Sequence, residues 1–148
     1  MKTTAHPRRR GFTLIEVMVA TAITGVLSSI AYPSFMGTVH KVRRADAQVA
    51  LLQLQAAQER WRANHNVYGS LAEIRQPATS PAGHYTLQLR AQSSSGYEVL
   101  ATAGGAQAGD RACRVLLLSV SGLNASYASG ADETLANDAA TTRRCWNQ

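Results

Sequence analysis

The chain offers little to do chemistry with. Its 148 residues hold two cysteines, Cys113 and Cys145. Neither belongs to a CxxC, and neither stands with histidine at metal-ligand spacing. The four histidines, His6, His40, His65 and His84, are scattered. None sits at i, i+4 with an acid in a zinc-helix pattern. "AGGAQAG" is rich in glycine but lacks the Gly-Lys-Ser/Thr ending of a phosphate-binding loop. "NAS" at 124–126 matches a glycosylation sequon, a three-residue match met by chance. No hydrolase or transferase constellation is visible. The chain therefore reads as not an enzyme, with no cofactor and no metal.

Charge is missing in two places. No acid precedes Gly11, and from Gly11 to Val39 the single charged side chain is Glu16. The formal net charge is +6. Four of the 15 basic residues lie before Gly11, so eleven face nine acids in the remainder. That remainder is only about +2, too little to argue for a nucleic-acid partner from bulk charge.

The uncharged run is long enough to cross a bilayer, which takes roughly 20 apolar residues as helix. Arginines before it and none within it place its N-terminus on the cytoplasmic side. A secretory signal peptide is the rival, and "ATA" at 20–22 resembles its cleavage site. That triplet falls too early, and the segment continues into more helix. Glu16 is the anomaly. A charge near the middle of a membrane helix costs on the order of 3 kcal/mol. Near the helix start the macrodipole favours an acid, which explains tolerance of Glu16 but not Gly11 and Phe12 before it.

"RRRG" followed by "FTLIEV" resembles the class III prepilin signal of the type IV pilin superfamily. Leader charge, glycine, phenylalanine, acid and apolar run coincide in order. The order "VYGS", "GHYTL", "GYEVLATA", "AGDRAC" and "CW" resembles PilE-type minor pilins. The resemblance implies that residues 1–11 are a leader. A prepilin peptidase cuts between Gly11 and Phe12 and N-methylates Phe12. Glycine leaves no side chain in the protease's way. The freed amine of Phe12 would then pair with Glu16 of a neighbouring subunit. In a dry filament core, loss of one partner of such a pair costs about 3–5 kcal/mol. The helix breakers Gly25 and Pro33 match the same pattern. Gly25 weakens a helix by about 1 kcal/mol, and Pro33 removes a donor and disfavours helix at Tyr32. The residues alone imply a kink there, and the resemblance implies a stretch that unwinds in the fibre.

Beyond residue 39 helical spacing resumes. Val42, Ala45, Val49, Leu52 and Ala56 make one apolar stripe. Ala47, Ala50, Leu51, Leu54, Ala57 and Trp61 make a second on roughly the opposite side. One face suits a sheet of the same subunit and the other suits neighbouring helices. The competing reading is a helix sunk in its own core. From Phe12 to about Asn64 the helix would run about 80 Å, too long for a domain this small to cover. The expected divisions are a leader (1–11), a transmembrane and assembly half-helix (12–39) and a periplasmic domain (40–148). The domain comprises a helix (40–64), a connector (65–82) and a sheet (83–128). In the connector, Ser70 and Glu73 suit a capping box for the turn "LAEIR". "HYTLQLR", "YEVLATA", "CRVLLLSV" and "SGLNASYA" read as four strands, with "SSSG" a turn and "AGGAQAGD" a loop. The fold class is α+β: a long N-terminal helix whose C-terminal half packs on a four-stranded antiparallel sheet. Residues 129–144 read as polar and turn-like.

Two cysteines allow one disulfide or two free thiols, and an exported domain favours the disulfide. In the pilins this bond bounds the C-terminal D-region, here 113–145. A bond between Cys113 and Cys145 would close a loop of roughly 30 residues and contribute about 3–4 kcal/mol. It would also gather Arg111, Arg114, Arg143, Arg144 and Trp146, a candidate DNA contact by phosphate pairing and stacking. Solvated loop charge is the competing reading. The resemblance implies a structural subunit, minor or core, of a type IV pilus. It starts as a single-pass precursor in the bacterial inner membrane and ends in the extracellular fibre. Implied partners are other pilins, the prepilin peptidase/N-methyltransferase, the inner-membrane assembly platform, lipid before assembly and, as a candidate, DNA. A DNA-uptake receptor and a type II secretion pseudopilin are the alternatives. The paired C-terminal cysteines and the lack of an acidic calcium-like loop favour the pilin.

Overall fold

A computed structural model describes residues 11–148. Apart from Gly11, the expected leader lies outside the described residues. The chain forms two compact units, one up to Met36 and one Gly37–Gln148.

Helix α1 runs Leu14–Arg62, 49 residues. In the first unit its apolar side chains are uncovered, with Leu14, Ile15, Met18, Val26, Leu27 and Ile30 all more than half exposed. Three hydroxyls there bond within the helix. Thr21 donates to the Met18 carbonyl at 2.9 Å, Thr24 to Ala20 at 2.8 Å and Ser29 to Val26 at 2.7 Å. Such back-bonding hides hydroxyls from a solvent that cannot receive them. The helix continues through Gly25, Tyr32 and Pro33. A proline forfeits one ladder bond, and the turns on either side of a long helix carry it across.

In the second unit α1 has two faces. Ala47, Ala50, Leu51, Leu54 and Ala57 are buried, whereas Val42, Val49 and Leu52 are exposed. The helix is therefore not sunk in its own core. Its buried face meets an antiparallel meander of β1 (Tyr85–Arg90), β2 (Gly96–Ala103), β3 (Val115–Ser121) and β4 (Asn124–Gly130), in that order. Tyr85, Leu87, Tyr97, Val99, Ala101, Leu116, Leu118 and Val120 alternate onto the face that joins the helix. Gly96 of β2 pairs with Ser121 of β3, and an added Cβ there would fall 2.1 Å from the Val120 carbonyl oxygen. The β3–β4 hairpin turns at Gly122 (φ 59°) and Leu123.

The C-terminal stretch is more ordered than its composition suggests. β4 extends to Gly130, and Ala139–Cys145 forms a short helix, α2, where a turn-like tail was expected. Asp138 caps it by accepting from the Thr141 backbone N–H at 2.7 Å. The reason lies in tertiary anchors. Cys145 is bonded to Cys113 with Cα atoms 5.3 Å apart, and Trp146 is buried and donates to the Ala128 carbonyl at 3.1 Å. Between β4 and α2, Glu133 meets Arg90 of β1 at 2.7 Å. The expected loop "AGGAQAGD" contains a 3-10 turn at Gly105–Gly109. The Ser70–Glu73 capping box forms, with Glu73 accepting from the Ser70 N–H and hydroxyl at 2.7 Å each. Those bonds hold Glu73 below the usual carboxylate value of 4.5.

Candidate functional site

Gly11 is exposed, and nothing lies within 4 Å of where a Cβ would stand. Phe12 is 82% exposed. The bond between them is therefore open on all sides among the described residues. Glu16 occupies the first turn of α1 and joins Thr13 in a capping box. The Thr13 N–H donates to Glu16 Oε2 at 3.5 Å, and the Glu16 N–H donates to Thr13 Oγ1 at 3.3 Å. Two of the helix's orphan donors are thus covered. Sequence reasoning missed Thr13, although Thr-x-x-Glu before an apolar run is its signature. The carboxylate is therefore placed at the helix start while no cation stands beside it among the described residues.

The second candidate surface is the exposed face of α1 in the globular unit. Val42, Val49 and Leu52 project from it, and Ala45 and Ala56 leave it low between them. No described residue of this chain covers that stripe.

The third candidate is the arginine group. The disulfide does bring its members to one region. Arg44 of α1 binds Asp110 bidentately, Nε to Oδ2 at 2.6 Å and Nη2 to Oδ1 at 2.9 Å. The same guanidinium donates to the Arg144 carbonyl at 3.1 Å. Arg111, Arg143 and Arg144 are exposed, and Arg114 is half-buried and donates to the Ala108 carbonyl. Trp146 departs from the expected stacking role. It is 7% exposed, packs against Tyr127 at 4.6 Å between ring centres, and uses its N–H internally. A ring inside the core has no face to offer a base.

Sequence reasoning also missed the hub beneath these arginines. Gln107 is fully buried. Its Oε1 lies 3.1 Å from His40 Nδ1, and its Nε2 lies within 3.2 Å of the His40 carbonyl, the Tyr85 hydroxyl and Asp110 Oδ2. Burial pushes the Tyr85 phenol up to about 12, against the opposing hydrogen bond from Gln107. The hub clamps the β2–β3 connection onto α1. Nothing in "AGGAQAGD" signals it, because a lone glutamine in a glycine-rich stretch looks like any loop residue.

Comparison with known proteins agrees with this geometry. Residues 33–117 match the family model described as type IV minor pilin ComP, DNA uptake sequence receptor. Residues 6–32 match the prokaryotic N-terminal methylation motif. The chain is 35% identical over 79 residues to type II secretion system core protein G of Pectobacterium carotovorum subsp. carotovorum, covering 50% of this chain and 51% of that protein. It is 37% identical over 67 residues to the type IV major pilin protein PilA of Myxococcus xanthus (strain DK1622), covering 45% of this chain and 30% of PilA. The chain thus spans about half the length of the first relative and less of the second. The first matched model covers more than half of the chain, and the methylation motif runs into the uncovered apolar start of α1. The protein belongs to the type IV pilin superfamily, within the family of the minor pilin ComP.

Proposed function

We propose that this chain is a structural subunit, a minor pilin, of a type IV pilus. The precursor sits in the bacterial inner membrane with its N-terminus cytoplasmic. A prepilin peptidase cuts between Gly11 and Phe12 and N-methylates Phe12. The assembly platform then draws the subunit into the extracellular fibre. The observation that carries this reading is the two-solvent character of α1. Its first half buries nothing, and its second half buries one face and leaves the opposite apolar stripe bare. Lipid suits the first half before assembly, and other subunits suit both surfaces afterwards.

Within that reading Glu16 changes partners. The Thr13 contacts at 3.3 and 3.5 Å are long and exposed, so they yield to the Phe12 amine of a neighbour once cutting has created it. Gly25 and Pro33 supply the weak stretch at which α1 lengthens in the fibre. N-terminal mass spectrometry tests the processing: methylated Phe12 is expected, and an intact Met1 refutes it. Glu16→Gln is expected to be cut normally yet excluded from sheared pili. Normal incorporation of that variant would sink the role of the charge.

The family description favours a second reading, contact with DNA through Arg111, Arg114, Arg143 and Arg144. With Trp146 in the core, that contact is phosphate pairing without base stacking. Retention of DNA by the purified chain should then fall steeply with salt and disappear in Arg143→Ala/Arg144→Ala. No retention at low salt disposes of it. A type II secretion pseudopilin remains the alternative within the superfamily. The Cys113–Cys145 bond supports the pilin reading over it.

A further inference from the structure

We propose that Lys41, Arg43, Arg111 and Arg143 form a lipid-phosphate surface that holds the globular unit against anionic headgroups where α1 leaves the bilayer. This rests on the reading that residues 12–39 lie in lipid. Three separate pieces of backbone converge on the Arg44 guanidinium: α1 itself, the connection carrying Asp110, and the end of α2 through the Arg144 carbonyl. Their basic neighbours in the chain, Arg43, Arg111 and Arg143, are thereby gathered into one region.

The gathered charge is not neutralised. The two ion pairs among the described residues are Arg44 with Asp110 and Arg90 with Glu133. Asp110 is consumed by Arg44, so that pair contributes no net charge. Lys41, Arg111 and Arg143 are exposed, and Arg43 is half-buried. The nearby carboxylates keep their negative charge but are outnumbered, and Asp138 interacts electrostatically with Arg144 and Arg143. Asp46 accepts from the Ser80 hydroxyl and from the Ala82 and His84 N–H groups, and Asp138 caps α2. Three acids, Asp46, Asp110 and Asp138, face six bases, Lys41, Arg43, Arg44, Arg111, Arg143 and Arg144, so the region keeps an excess of positive charge.

Depth follows from chain connectivity alone. Lys41 and Arg43 stand two and four residues after Val39, the last residue of the apolar run. Even fully extended chain spans at most about 3.6 Å per residue, which keeps the Arg43 backbone within about 15 Å of Val39. Helical backbone keeps it within about 6 Å. The headgroup layer on each side of a bilayer is about 5–7 Å thick. Residues 39–43 are helical, so these side chains reach phosphate depth. Guanidinium and ammonium groups pair with phosphate oxygens by charge-assisted hydrogen bonds. Buried Trp146 adds no base-stacking surface, so the chemistry on offer is phosphate binding, and the membrane is its nearest source.

The test uses the full chain reconstituted in phosphatidylcholine bilayers with trace spin-labelled phosphatidylglycerol or spin-labelled phosphatidylcholine. The motionally restricted lipid fraction is read by electron paramagnetic resonance. The chain should select phosphatidylglycerol about threefold more strongly than the variant Lys41→Gln/Arg43→Gln/Arg111→Gln/Arg143→Gln, and high salt should abolish the difference. Arginines of the leader are common to both and cancel. Lys41→Gln/Arg111→Gln, confined to exposed positions, should lose part of the selectivity with the disulfide intact. Arg60→Gln/Arg75→Gln should keep it, because Arg60 lies about 25 Å further along α1, beyond the Debye length of about 10 Å. Equal selectivity in the chain and the fourfold variant overturns the proposal. So does an equal loss in the Arg60/Arg75 control. Unchanged lipid selectivity with loss of DNA retention assigns the cations to nucleic acid and overturns it too. Absence of restricted lipid in every chain refutes the membrane reading itself.

Discussion

Removing Asp110 tests whether the clamp between α1, the β2–β3 connection and α2 holds the globular unit together. In Asp110→Ala the Arg44 guanidinium loses contacts at 2.6 and 2.9 Å, and Gln107 loses an acceptor at 3.2 Å. Arg44 is left 14% exposed with only the Arg144 carbonyl as partner. A buried charge stripped of its partner costs about 3–5 kcal/mol. That is a large part of a stability of about 5–15 kcal/mol. For a unit of this size it corresponds to a fall in Tm on the order of 10–20 °C. The Arg90–Glu133 pair is a control built into the same fold. Its side chains are 36% and 59% exposed, so Glu133→Ala should cost no more than about 1 kcal/mol. Both are measured on the detergent-solubilised full chain by near-ultraviolet circular dichroism during heating. If Asp110→Ala falls no further than Glu133→Ala, the clamp is not structural. The double variant Arg44→Met/Asp110→Leu isolates the cause, because two apolar groups leave no orphaned charge. It should recover most of the loss, and failure to recover would refute the charge-orphaning argument.

Other outcomes follow from the same packing. Leu54→Ala empties a fully buried position under the sheet and should cost about 3–5 kcal/mol, read by chemical denaturation. Cys145→Ser should cost about 3–4 kcal/mol and increase proteolysis after Gly130 before the rest of the unit is attacked. Gly96→Ala should lose about 2 kcal/mol or more, since its Cβ would fall 2.1 Å from the Val120 carbonyl oxygen. Acid sensitivity has a defined sign. Hydrogen bonds from Thr141 hold Asp138 below its usual 3.8 in the folded chain. That contribution is present above 3.8 and is lost as pH falls through the lower folded value. Asp138→Asn, which still caps, should flatten the acid limb of the stability curve without shifting the neutral plateau.

What could be read in advance divides by the range of the interaction. The two stripes of α1 were legible because helical spacing alone separates Val42, Val49 and Leu52 from Ala47, Leu51 and Leu54. Which stripe the sheet covers is seen only in the fold. The strands were legible from alternation in "HYTLQLR", a continuous apolar run in "CRVLLLSV" and the turn residues between them. The capping box at Ser70 and Glu73 was legible because its partners are three residues apart. The box at Thr13 and Glu16 has the same spacing, and Glu16 drew attention away from Thr13. At Pro33 the helix continues, since one missing ladder bond does not end a helix with intact turns on both sides.

By itself the sequence determined the family signal, the apolar run, the two-faced helix and the order of the strands. Each depends on composition or on neighbours within a few positions. Only the tertiary structure decided that Trp146 fills the core, that α2 forms where the tail looked loose, and that Gln107, Arg44 and Asp110 join three distant segments. Those outcomes rest on contacts between residues far apart in the chain, where burial settles which polar groups must find a partner. A tryptophan beside arginines reads as a surface for nucleic acid until a disulfide two positions from β3 turns it inward.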